Sequence, residues 1–162
     1  MMNELITAIE AMDPETLAYA IVTSAAILVF IAIGALLRYL MTSIGYSKMY
    51  SKAGDAGWKA FIPIYNTYNN YKLSWNGKFF FLYAVLFILF NAISGGTAIA
   101  MQLAAAAAGV ALVVVDVKQH VKMAKLYGKG AGVGVALIFF PGITSMVLGL
   151  GKAEFQGEKL EN

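Results

Sequence analysis

The chain has 162 residues, 60% of them hydrophobic and only 13% charged, a balance that excludes an ordinary water-soluble domain of this size. Twelve Lys and Arg stand against nine Asp and Glu, giving a net charge of +3. Cysteine is absent, which excludes disulfide scaffolds, thiolate metal sites and thiol catalysis.

Charged residues cluster and leave three uncharged intervals, 16–37, 79–115 and 130–151. About 20 residues of helix cross roughly 30 Å of hydrocarbon, so each outer interval holds one span. The middle interval is too long for one span and contains the breaker Ser94-Gly95-Gly96-Thr97, so it reads as a tight helical hairpin. The expectation is an all-α integral membrane protein of four transmembrane helices, forming one membrane domain over 1–162.

In chain order, residues 3–12 alternate apolar and acidic groups. Asp13-Pro14-Glu15 then supplies an N-cap, a proline at the first helical position and an acid in the first turn, so helix 1 is predicted over 14–44. The residues before Leu17 carry Glu4, Glu10, Asp13 and Glu15 and no base, unlike a cleaved signal peptide. Residues 45–78 form a cytoplasmic or interfacial loop, within which 58–65 is expected to dip into the membrane interface and turn back at 66–70. Helix 2 is predicted over 79–94, with the bulky run Phe79-Phe80-Phe81-Leu82-Tyr83. Helix 3, over 97–127, is rich in alanine, which permits close approach by a neighbour, and its cytoplasmic extension ends at the C-cap Gly128. Helix 4, over 131–151, should kink at Pro141, and the tail 152–162 is expected to be mobile.

Ten basic residues lie in two segments: Arg38, Lys48, Lys52, Lys59, Lys72 and Lys78 in the first, Lys118, Lys122, Lys125 and Lys129 in the second. The positive-inside rule places both in the cytoplasm, and with four spans both termini fall on the extracytoplasmic side. A repeat is visible as well. Lys48-Met49-Tyr50-Ser51-Lys52 with Gly57 matches Lys125-Leu126-Tyr127-Gly128-Lys129 with Gly134 at the same offset, and each copy leads to a proline, Pro63 or Pro141. Two parallel helix-pair repeats are expected.

The string from Lys52 through Gly54-Asp55-Ala56-Gly57-Trp58-Lys59-Ala60-Phe61-Ile62-Pro63-Ile64-Tyr65-Asn66 resembles the signature of an uncharacterised family of small bacterial membrane proteins. Tyr127-Gly128-Lys129-Gly130, Pro141 and Leu148-Gly149-Leu150-Gly151 fit the same pattern. Members are often labelled signal peptidase I-like. The resemblance implies a bacterial inner membrane and no established activity, cofactor or catalytic residue.

Signal peptidase chemistry requires a serine beside a buried lysine near the outer surface, and no such pair stands out. His120 with Asp116 supplies too few ligands for a metal site. Asp116 is instead expected in a structural ion pair, with His120 one turn along or with Arg38 on helix 1. The polar residues of the spans, Thr23, Ser24, Asn91, Gln102, Thr144 and Ser145, are expected to hydrogen-bond between helices. The basic, aromatic cytoplasmic face is the most informative surface. Its candidate contacts to anionic lipid or a partner protein are Lys52, Trp58, Lys59, Tyr65, Asn66, Lys122, Lys125 and Lys129. Nucleic acid is not expected, since these bases serve topology. A homo-oligomeric channel built around the small-residue face of helix 3 is the alternative, and a membrane-embedded enzyme using the 58–70 loop is a weaker one.

Overall fold

The computed structural model describes Glu4 and residues 12–157. The alternating segment 3–12 therefore lies almost wholly outside the described residues, as does the end of the tail. Among the described residues the chain is all-helical. Helix α1 spans Pro14–Lys52, a short 3-10 helix spans Gly57–Phe61, α2 spans Pro63–Ser74 and α3 spans Lys78–Ile93. Then follow α4 (Ile99–Leu126), α5 (Ala131–Phe139) and α6 (Pro141–Leu150). The chain divides into two compact units, Met1–Tyr39 and Leu40–Asn162.

In the first unit, Asp13 caps α1. Its carboxylate accepts from the Thr16 N–H at 2.8 Å and from the Thr16 hydroxyl at 2.6 Å, and these bonds hold its carboxyl below the ordinary value. The helix beyond is apolar all round, with Tyr19, Val22, Leu28 and Phe30 exposed. Thr23 and Ser24 donate to carbonyls of Tyr19 and Ala20 in their own helix, rather than across helices.

The sequence predicts four spanning helices; among the described residues two are long and apolar enough, Pro14–Lys52 and Ile99–Leu126. The shortfall has two physical causes. Helix α3 has 16 residues, about 24 Å at 1.5 Å per residue. The predicted helix 4 is two helices of 9 and 10 residues, separated at Phe140, whose φ of −127° and ψ of 56° are not helical. Pro141 is therefore the first residue of a new helix, where its missing N–H costs nothing, rather than a kink inside an old one.

The direction of these two helices follows from their neighbours. Gly134 of α5 lies against the backbone of Val121 and His120 in α4, and later α5 residues share a groove with Leu112 and Val113, so α5 runs antiparallel to α4. Thr144 of α6 donates back to the Ala136 carbonyl of α5 at 3.1 Å. Helix α6 then follows the end of α1 in parallel, with Ser145 at Thr42, Gly149 against Gly45 and Lys48, and Leu148 at Lys52. The pair is a hairpin whose tip is Phe140, and the chain leaves it at the end of α1 where it began.

Helices α1 and α4 stop in the same way. Gly54 and Gly128 adopt left-handed φ values of 79° and 67°. The next residue's N–H reaches back five positions, Asp55 to the Tyr50 carbonyl at 2.9 Å and Lys129 to Ala124 at 3.0 Å. These stops are staggered by three residues relative to the repeat match of Lys48–Lys52 with Lys125–Lys129, because Gly128 aligns with Ser51. Residues 66–70, where a turn was expected, lie within α2.

The second unit has one packed core at this end: Tyr46, Met49, Tyr50, Ala60, Met123, Ala124, Tyr127, Leu137 and Leu148. Each large side chain there contributes about 1.5–3 kcal/mol by burial. Outside it, Phe81, Ile88, Leu103 and Val110 on α3 and α4 stay exposed.

Candidate functional site

The core continues into a network of buried polar groups, most of which find hydrogen-bond partners. The Tyr50 hydroxyl sits among the Asn66 carbonyl at 3.0 Å, the Asn66 side-chain oxygen and the Asn70 Oδ1 at 2.8 Å. Ser74 donates to the Asn70 carbonyl at 2.6 Å, and Gln119 of α4 donates to Ser74 at 3.3 Å. This network fastens α2 to both long helices. The Tyr127 hydroxyl donates to the Met49 carbonyl at 2.6 Å, so the two tyrosines of the repeat close the same core from opposite copies. Burial raises the Tyr127 hydroxyl above its ordinary pKa and keeps it a donor.

The Gly54-Asp55 turn places a carboxylate inside. Asp55 is 5% exposed and accepts from the Ala56 N–H at 2.7 Å and from the Lys59 ammonium. Desolvation pushes its carboxyl up, but the bonds from Lys59 and Ala56 and the nearby Asn69 amide outweigh it and hold it below the ordinary value.

The eight candidate contact residues divide accordingly. The Lys52 ammonium donates to the carbonyls of Leu148, Gly151 and Ala153 at 2.7–2.8 Å, capping α6 and holding the segment after it. Lys59 is paired with Asp55, Asn66 accepts from Tyr50, and Lys122 lies 4.1 Å over the Trp75 ring. Lys125 and Lys129 are exposed. Trp58 and Tyr65 are 57% and 44% exposed, with rings 5.8 Å apart, and Phe61, Ile62 and Ile64 beside them are exposed as well. No sequence signal distinguished the lysines that serve the fold from those left at the surface.

Asp116 stands 3.4 Å from the His120 ring, whose Nδ1 also lies 2.9 Å from the Asp116 carbonyl. Arg38 belongs to the first unit. Asn91 donates to the Phe87 carbonyl within α3, whereas Ser145 reaches the Thr42 carbonyl of α1 at 3.5 Å. The tail, expected to be mobile, is docked as far as Gln156. Its N–H donates to the Leu126 carbonyl at 2.7 Å, and the Phe155 ring meets Tyr127 edge to face at 5.5 Å.

The fold defines an all-helical protein with two helices long and apolar enough to cross a membrane, and a buried polar network where those helices end. The chain belongs to a family of unknown function, DUF5684, whose model matches residues 58–158. The match begins at Trp58 and takes in α2 to α6 with the docked tail. No curated protein and no solved structure matches the chain.

Proposed function

We propose that the protein is a non-enzymatic membrane protein of the bacterial inner membrane, whose basic, aromatic end docks anionic lipid headgroups. The observation that carries this reading is the exposed run Trp58, Phe61, Ile62, Ile64 and Tyr65, with the exposed Lys72 about two turns after Tyr65 in α2. An apolar aromatic surface with lysines close by suits the headgroup level of an anionic leaflet. In this arrangement α1 crosses the bilayer and α3 with α4 forms a crossing hairpin. The α5–α6 hairpin enters about halfway, since each arm is about 14–15 Å long. The short α3 is supported as a span by antiparallel packing on α4, where Gly109 admits the Phe90 ring.

Three crossings place the carboxyl tail with the basic segments, in place of the shared extracytoplasmic side that four spans would require. The Lys52 bonds to Leu148, Gly151 and Ala153 support this. The two repeats then become a long helix followed by a proline-started helix that does not cross, α1 with α2 and α4 with α6. Each short helix packs on the long helix of the other copy, as Ser74 with Gln119 and Ser145 with Thr42 illustrate.

The test is quenching of tryptophan fluorescence in nanodiscs by brominated phosphatidylglycerol against brominated phosphatidylcholine. Phosphatidylglycerol is expected to quench more strongly, and Lys72→Gln, Lys125→Gln and Lys129→Gln together to weaken that preference by on the order of 1 kcal/mol per charge. Equal quenching by the two lipids would overturn the reading. The competing reading, a homo-oligomeric pore, is favoured by the exposed Ala104, Ala106 and Ala107 on α4. A particle of monomer mass without conductance in liposomes would remove it.

A further inference from the structure

We infer that the groove between α3, α4 and α5 is a binding site for a single-chain amphiphile with a cationic nitrogen head. The groove has a volume of about 420 Å³, within the range of small-molecule sites. Its apolar wall is Leu112, Val113, Val117, Val135, Ile138 and Phe139, and Phe139 and Val113 are 70% and 62% exposed, so the wall is open to a ligand. Its one charged lining residue is Asp116, with Tyr83 facing from α3.

A carboxylate set in an apolar wall favours a positive partner and rejects a negative one, because the unmatched charge gains nothing from the surrounding methyl groups. Among the described residues the one ion-pair partner of Asp116 is the His120 ring, whose Nδ1 stands 3.4 Å away, and the Asp116 side chain remains 36% exposed. Tyr71, whose ring lies 5.6 Å from that of Tyr83, is 2% exposed, and its hydroxyl has no hydrogen-bond partner among the described residues. The neighbouring groove between α2 and α3, lined by Pro63, Ile64, Phe80 and Phe87 and sharing Tyr83, is similar in size but has no charged residue. It serves as an internal control: an uncharged chain has no reason to prefer one groove over the other.

The inference does not depend on anionic lipid docking, which uses other residues. The test is photo-crosslinking of the full chain in a neutral detergent, with an alkyltrimethylammonium that carries a diazirine in its chain and a sulfate-headed analogue of equal length. Peptide mapping should find the ammonium probe on residues 112–117 and 135–139. Asp116→Asn should reduce that labelling about tenfold, and Asp116→Glu should restore it. Thermal midpoints of both variants establish that they fold. If the sulfate probe labels the same peptides as strongly, or if a folded Asp116→Asn labels like the parent, the site is not one for cations and the inference fails.

Discussion

Replacing Lys59 with methionine is expected to destabilise the protein by about 3 kcal/mol, more than replacing its partner Asp55 with asparagine. The asymmetry comes from burial. The Asp55 side chain is 1% exposed and the Lys59 side chain 18%, so losing Lys59 strands a carboxylate in the interior, whereas losing Asp55 leaves an ammonium that can turn toward water. Asn at position 55 still accepts from the Ala56 N–H, so Asp55→Asn should cost about 1–2 kcal/mol. The double variant should be more stable than Lys59→Met alone, since the stranded charge is gone. The folded carboxyl titrates below its ordinary 3.8, so the pair's contribution is complete above that value and is lost as pH falls through the folded pKa. Unfolding in fixed detergent composition, read at several pH values, tests all of this. A Lys59→Met variant no less stable than Asp55→Asn would show that the carboxylate is not buried.

Gly45→Ala is expected to cost about 3 kcal/mol, through strain rather than lost contact. A Cβ built at Gly45 falls 2.5 Å from the Ser145 carbonyl carbon and 2.6 Å from the Met146 nitrogen, so backbone must move. Gly149 faces the Gly45 carbonyl from α6 in the same way, and Gly149→Ala should be as damaging. Pushing α6 away from α1 also draws Leu148 and Gly151 off the Lys52 ammonium. Gly132→Ala in α5 is the control: nothing lies within 4 Å of its Cβ, and an exposed helical alanine should stabilise by about 0.5–1 kcal/mol. Thermal unfolding of the three variants checks the order, and equal midpoints for Gly45→Ala and Gly132→Ala would contradict the close approach.

Local signals in the sequence located about half of the helix starts and stops. Asp13-Pro14, Gly128 and the Ser94-Gly95 breaker act through their own backbone and need no tertiary context. What stayed hidden depends on distant partners. Residues 45–52 look polar enough for a loop, yet they continue α1 because Tyr46, Met49 and Tyr50 bury one face against Met123, Tyr127 and Leu148. Asp55 reads as a loop acid until Lys59 and Asn69 are seen beside it. Lys52 reads as a surface cation until the carbonyls it caps come back from nearly a hundred residues away. The break at Phe140 did have a signal. Proline near the middle of a 20-residue apolar segment leaves two arms, each too short to cross, and the matching copy around Pro63 reads as a dip that turns back.

The sidedness of the carboxyl tail tests the central claim most directly. Single cysteines replacing Lys125 and Lys152, in a chain that otherwise has none, can be labelled in intact cells and in inverted vesicles with a membrane-impermeant maleimide. With α6 returning beside the end of α1, both cysteines should label in inverted vesicles and neither in intact cells. Labelling of position 152 in intact cells and of position 125 only after inversion would mean that the last segment crosses the bilayer, contradicting the re-entrant hairpin and the topology built on it.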